Sequence, residues 1–345
     1  MTALTMPARP REDASARPVP WRRMAWVTWR QHRIALTGVA VFLGALALYL
    51  WLTGLQAHHA YTAATACHPA SSLACGELIS NFNNTYGGRA AAISALLQVV
   101  PALIGAFIGA PVLARELETG TFRYAWTLAF GRSRWTLAKL IPLGVVVAAV
   151  AGAFSLLLSW YYGPFFADGN QIPLAPPVFD LRGVTFAAWT LAAFAIGALA
   201  GMLIRRVVPA IAATLAAYAG LGVAAGMFLR EHYLTALVTT KLNPPATAWI
   251  INQWWTKGGT FAFGGRPPGG LLMQICPPSA LGPSAAKPSL DSIFQCVIRH
   301  GYTQWTSYQP ASRFWPFQWI EGGWLLALSV LLIATTVWLV RRRPT

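Results

Sequence analysis

Six stretches of this 345-residue chain, 34–55, 91–113, 140–162, 183–204, 207–229 and 322–340, each run for about 20 residues without an Asp, Glu, Lys, Arg or His. A helix of about 20 apolar residues covers about 30 Å of hydrocarbon, the core thickness of a bilayer. Six such runs exclude an ordinary soluble core. Only 10% of the residues are charged, against about 25% in an average soluble domain. The sequence predicts an all-α integral membrane protein with six transmembrane helices over residues 34–345.

The net charge of +16 raises the question of a nucleic-acid partner, and the placement of the basic residues answers it. With a cytoplasmic N-terminus, the inner segments are 1–33, 114–139, 205–206 and 341–345. They hold 17 of the 26 Lys and Arg in 66 residues. Such an excess in short loops beside apolar spans is the positive-inside pattern, so the charge orients the chain in a membrane, and no nucleic acid is expected. Both termini are predicted to be cytoplasmic. A secretory signal is a poorer reading of the first run, because its 22 residues exceed the usual signal core of about 7–15.

The same topology places Cys67, Cys75, Cys276 and Cys296 outside, although they took no part in deriving it. An oxidising exterior favours disulfides. Pairing within each loop, Cys67 with Cys75 and Cys276 with Cys296, is the simplest of three connectivities. Two outer segments are long: 56–90, and 230–321, a cap loop before the last span. The latter is rich in Gly and Pro and contains Trp249, Trp254, Trp255, Trp305, Trp315 and Trp319. The last two suit a headgroup belt, whereas Trp254 and Trp255 suit a re-entrant or lid-like element.

Residues 1–20 are rich in Pro, Arg and Ala without periodicity and read as a disordered cytoplasmic tail. Residues 21–33 place Trp and Arg on opposing sides at helical spacing. They read either as an interfacial amphipathic helix on membrane lipid or as an anchor at the mouth of the first span. Gly105 and Gly109, Gly197 and Gly201, and Gly222 and Gly226 each lie four residues apart on three spans, a spacing that lets helix backbones approach within or between chains.

The patterns of membrane enzymes are missing: the sequence holds no HExxH, no GxSxG, and no paired carboxylates at helical spacing in the apolar runs. His58, His59 and His68 form the one histidine cluster, which reads as a solvated polar stretch rather than a metal site. An outer-face enzyme would have to draw on these with Glu77, Glu231 and Asp291, and no spacing joins them. The absence of charge in the six runs counts against ion-coupled transport. With no GxxxxGK[ST] loop, ATP is not expected to be hydrolysed by this chain.

Between the second and third runs lies ARELETGTFRYAWTLAFGRSRWTLAKL, with five basic and two acidic residues. A solvated positive-inside loop accounts for the basic residues but leaves Glu116, Glu118, Phe122, Tyr124 and Trp126 unexplained. The run R-E-x-E-x-G-T, a short apolar helix and R-S-R-W-x-x-x-K-L resembles the cytoplasmic loop of ABC type-2 permeases, the membrane subunits of ATP-binding-cassette exporters. WVTWRQHR near the start and YQPASRFWPFQWIEGG before the last span are similar to an actinobacterial group of these permeases.

The resemblance, from about Trp21 onward, implies a permease subunit that moves an unknown substrate out of the cytoplasm or the inner leaflet. Two such subunits, identical or not, would assemble with ABC ATPase subunits that bind the ATP and Mg, leaving this chain with no cofactor of its own. It makes 114–139 the coupling loop and assigns to it Arg115, Glu116, Glu118, Gly120, Thr121, Phe122, Arg123, Tyr124, Trp126, Arg132 and Arg134. The contact face would be Phe122, Arg123, Tyr124 and Trp126, with Glu116 and Glu118 holding the loop against nearby basic groups. The long outer loop departs from the short re-entrant element of many relatives. The competing reading is a non-transporting sensor or scaffold whose outer loop binds a ligand.

Overall fold

The structure is a computed structural model that describes residues 21–69, 72–120, 132–169, 171–242, 244–277 and 290–342. For 21–36, 290 and 291 it describes the backbone alone. The expected tail at 1–20 lies outside these residues, as do 121–131 of the expected coupling loop. Six helices are long and apolar enough to cross a membrane. They are α1 (Trp21–Thr65), α2 (Leu73–Thr119), α3 (Arg132–Tyr161), α4 (Gly183–Ile204), α5 (Val207–His232) and, after two short cap helices, α8 (Phe314–Arg342).

The helices outrun the uncharged windows. No break separates 21–33 from the first span, and α1 continues to Thr65. Most of the expected 56–90 loop is therefore helical, and the chain reverses over a few residues between α1 and α2, where Cys67 is bonded to Cys75. Likewise α5 takes in Arg230 and α8 takes in Glu321. Windows cut at every charge stop short because a charge paired inside the bundle need not end a helix.

Contacts between the helices define two ends. At the first, α1 meets α3 through His58, which stacks on Trp160 at 4.7 Å and bonds its carbonyl at 3.0 Å. His58 is thus a packing residue. Asn83 of α2 donates to Asp168, just beyond α3, at 2.7 Å. At the opposite end, Arg341 of α8 donates to Ser133 of α3 at 3.0 Å. Gly120 closes α2 there in the left-handed conformation, with φ 72°, the usual glycine ending of a helix.

At the centre is α4, packed by α2, α3, α5 and α8. In its most apolar window 67% of residues are buried, against 11% for α1 and α5, which therefore present apolar surface outward. The close packing of α4 rests on missing side chains. A Cβ at Gly105 would sit 2.5 Å from the Ala193 carbonyl oxygen, and one at Gly109 2.6 Å from that of Phe194. From the other side, a Cβ at Gly197 would strike the Gly105 carbonyl, and one at Gly201 that of Ala110. Four of the six glycines singled out above thus form one two-sided contact, where α2 also loosens into a π-turn over Gly105–Gly109. A Cβ at Gly222 or Gly226 would meet nothing within 4 Å.

The expectation of an all-α fold is corrected by the segment between α5 and α8, which is not a loop. It forms an antiparallel sheet in the order β1-β4-β2-β3, from β1 (Leu237–Thr239), β2 (Trp249–Lys257), β3 (Thr260–Gly264) and β4 (Tyr302–Gln309). Gly258 and Gly259, both at positive φ, make the two-residue turn that matches strand twist. Trp254 and Trp255 consequently face opposite sides of β2. Trp254 stacks on Trp305 across the β2–β4 pair, with centroids 6.3 Å apart. Trp255 is fully buried beneath α6 (Gly269–Ile275) and α7 (Leu290–Arg299). The Cys276–Cys296 disulfide joins that pair of helical segments. Both tryptophans belong to the sheet.

Hydrogen bonds join the end of β4 and the residue before α8 to the segment just after α5. Gln309 donates to the Leu234 carbonyl at 2.7 Å, and Arg313 to that of Thr235 at 2.6 Å. A cluster of Leu174, Phe179 and Phe317, with Tyr233 and Trp249 packed against it, fills the joint.

Substituting Gly197→Leu should abolish the folded, monodisperse protein, because the obstructing atoms are backbone. Gly226→Leu should leave it folded, as size-exclusion profiles in mild detergent will report.

Candidate functional site

Two polar assemblies stand out in this apolar molecule, one at each end. At the loop end, Glu116 near the end of α2 pairs with Lys139 of α3, both largely buried, and Lys139 lies 4.5 Å from the centroid of the Trp135 ring. Two residues on, the Glu118 carboxylate accepts from the backbone N–H of Val207 at 3.0 Å. That N–H belongs to the first turn of α5, where helix donors lack partners and negative charge is favoured. The two acids fasten the end of α2 to α3 and to α5. Glu118 thus meets a helix start.

The other residues assigned to the loop divide as follows. Arg115 lies on the last turns of α2, its carbonyl accepting from Thr119 at 2.9 Å. Arg132 and Arg134 begin α3, and the Arg132 carbonyl accepts from Thr136 at 3.0 Å. Thr121, Phe122, Arg123, Tyr124 and Trp126 lie outside the described residues.

At the cap end, Arg230 is 1% exposed and Glu321 is fully buried. The Arg230 guanidinium donates Nε to Glu321 Oε2 at 2.9 Å and Nη2 to Oε1 at 2.7 Å. This two-point grip is the strong form of a carboxylate pair. The Trp189 indole donates to Oε1 at 2.8 Å, and Nη2 also reaches the carboxylate of Asp180, which precedes α4. Burial pushes the Asp180 carboxyl up to about 7; nearby Glu321 adds to the rise and Arg230 opposes it. Beside this cluster Gln318 accepts from the Thr185 N–H and hydroxyl at 3.0 and 2.9 Å and donates to the Phe179 carbonyl at 3.1 Å. Together these groups join α4, α5 and α8 at their cap ends.

No sequence pattern singled out Asp180, Arg230 or Glu321. The available signal was weak: lone charges abutting apolar runs, too far apart in sequence to suggest a triad. Among the described residues, one His, Cys, Asp and Glu grouping is close enough for a metal, Cys276, Cys296 and His300. Its two sulfurs are bonded to each other.

A model of the ABC-2 membrane transporter related family matches residues 40–230, more than half of the chain. The chain belongs to that family. It is a multi-pass membrane protein and resembles the membrane component of an ABC transporter rather than its ATPase. Searches of curated proteins and of solved structures each return no match. The region matched to ABC-2 proteins runs from within α1 through the loop to Arg230, so both loop-end acids and Asp180 fall inside it. The cap sheet and α8, with Glu321, fall outside it.

Replacing Glu321 with Leu leaves the Arg230 charge poorly compensated, a change that costs about 3–5 kcal/mol at buried pairs. A large drop in unfolding temperature, followed by tryptophan fluorescence, is expected. The raised Asp180 carboxyl gives a second expectation. The folded state holds a proton there between the ordinary carboxylate range and about 7, so this group's contribution to stability falls as pH rises through that window. Unfolding midpoints compared at several pH values should show this slope in the wild type and lose it in Asp180→Asn.

Proposed function

We propose that this chain is the permease subunit of an ABC exporter in a bacterial plasma membrane, with the loop end in the cytoplasm and the cap outside. Two features support the orientation. Arg115, Arg132, Arg134, Arg205, Arg206 and Arg341 gather at the loop end; such charge remains cytoplasmic. Both disulfides lie at the other end, where an oxidising exterior preserves them.

The observation that carries the mechanism is the fastening of the loop's root. Through Glu116–Lys139 and Glu118–Val207, a push on residues 114–139 reaches α2, α3 and α5 together, and α2 passes it to α4 through the glycine contact. An ABC ATPase closing on ATP and Mg supplies such a push, with Phe122, Arg123, Tyr124 and Trp126 as the face it meets. The displaced helices then open a route for cargo outward or into the outer leaflet. The apolar outer faces of α1 and α5 remain for membrane lipid and a second permease copy, identical or not.

A sensor whose cap binds a ligand is the alternative, and the folded sheet around Trp255 favours it to the extent that a sensor needs an independent outer unit. Co-expression with an ABC ATPase encoded beside this gene separates the two. Co-purification is expected, and Glu116→Ala should reduce permease-dependent ATP hydrolysis severalfold while the ATPase still binds. Failure of any ATPase to co-purify in mild detergent would overturn the exporter reading.

A further inference from the structure

Next to the buried arginine is a cavity of about 140 Å³ bounded by α2, α4 and α5, whose walls include Gln98, Asp180, Phe186, Trp189, Tyr218 and Gly222. Three properties define what it can hold. The first is charge. One guanidinium faces two carboxylates, and Glu321, fully buried, takes the two-point grip. Asp180 has a side chain one-fifth exposed and forms part of the cavity wall. When Asp180 is ionised, the cluster of one guanidinium and two carboxylates carries a net negative charge, and Asp180 brings it to the cavity wall.

The second property is aromatic lining. Trp189 and Tyr218 meet edge to face with centroids 5.6 Å apart, and Phe186 adds a third ring. Ring faces beside a carboxylate attract a cation, most strongly when it is poorly hydrated. The third is size and access. Ligand pockets commonly span about 300–1,000 Å³, so this space takes a headgroup and not a whole ligand. Gln98, Tyr218 and Gly222 are only partly buried and mark its open side. Beyond them lie exposed apolar side chains of the spans, including Leu96, Val99 and Val223.

We propose that this cavity binds an ammonium group carried on an apolar body, the head between Asp180 and the rings and the body along α2 and α5. The proposal concerns this chain alone and does not require the exporter reading. The rival occupant is an anion, since Arg230 Nη1 is buried without a partner among the described residues. Arg230 does not line the cavity, however, and two carboxylates cover its charge.

The test uses the full chain, without any ATPase, in phosphatidylglycerol nanodiscs, so its result is independent of ATPase recruitment. Radiolabelled dodecyltrimethylammonium is titrated below its micelle concentration, with binding to empty discs subtracted. Saturable binding is expected, weakened at least about tenfold by Asp180→Asn, the loss of one close charge partner, and severalfold by Tyr218→Leu. Dodecyl sulfate should not compete. Affinity should also fall between about pH 8 and pH 6 as Asp180 takes up its proton. The groups set against Asp180 are Arg230, Glu321 and the Tyr218 phenol. Adding phosphatidylethanolamine to the discs tells the source. Competition in proportion to its content identifies a lipid headgroup as the resident, and its absence identifies a free amphiphile as the ligand. Binding unchanged in both variants, or equal displacement by dodecyl sulfate, overturns the proposal. If Asp180→Asn does not fold, Tyr218→Leu, which removes no bond to Arg230, decides the matter.

Discussion

The architecture depends on a contact made of backbone. Where α2 and α4 cross, Gly105, Gly109, Gly197 and Gly201 bring main-chain atoms to a separation that any side chain would prevent. In hydrocarbon no hydrophobic effect drives helices together, so close van der Waals contact must do so. With α4 held this closely, α3, α5 and α8 arrange themselves around it, and the charged groups at either end fall into register.

Those charged groups can be understood as end clasps on a bundle whose middle is apolar. The loop-end clasp uses acids from α2 against α3 and the start of α5. The cap-end clasp uses one arginine on α5 against acids on α8 and before α4. Buried ion pairs contribute little net stability compared with apolar replacements, and their better-attested role is to specify register. Placing them at helix ends limits the helices to a few relative positions. That is a suitable construction for a bundle proposed to be driven from one end.

The six spans were legible because hydrocarbon thickness imposes a length, and a run such as 183–204 has no other use. Their ends were not, because an uncharged run stops at Arg230 and at Glu321, although a helix tolerates charge that is paired inside the protein. The glycine spacing identified Gly105, Gly109, Gly197 and Gly201, but it marked Gly222 and Gly226 equally, and a Cβ on either of those two would meet nothing within 4 Å. Spacing reports that an approach is possible, not that a partner is present. The sheet was legible in part: WIINQWWTK followed by Gly258 and Gly259 is a strand and turn signal. It was obscured by β1, only three residues long, and by the 44 residues between the end of β2 at Lys257 and the start of β4 at Tyr302.

The strand order has a consequence for how the molecule is made. Because β4 lies between β1 and β2, those two strands have no edge in common and cannot begin the sheet by themselves. During synthesis the cap must wait, with both edges unsatisfied, until the chain as far as Gln309 has been delivered to its side of the membrane. Only four residues then separate β4 from α8, which carries the acid that neutralises Arg230. Closure of the sheet, entry of the last helix and compensation of the buried charge are thus bound into one late step. A chain truncated before residue 302 would be left with an open sheet and with Arg230 deprived of the two-point grip of Glu321.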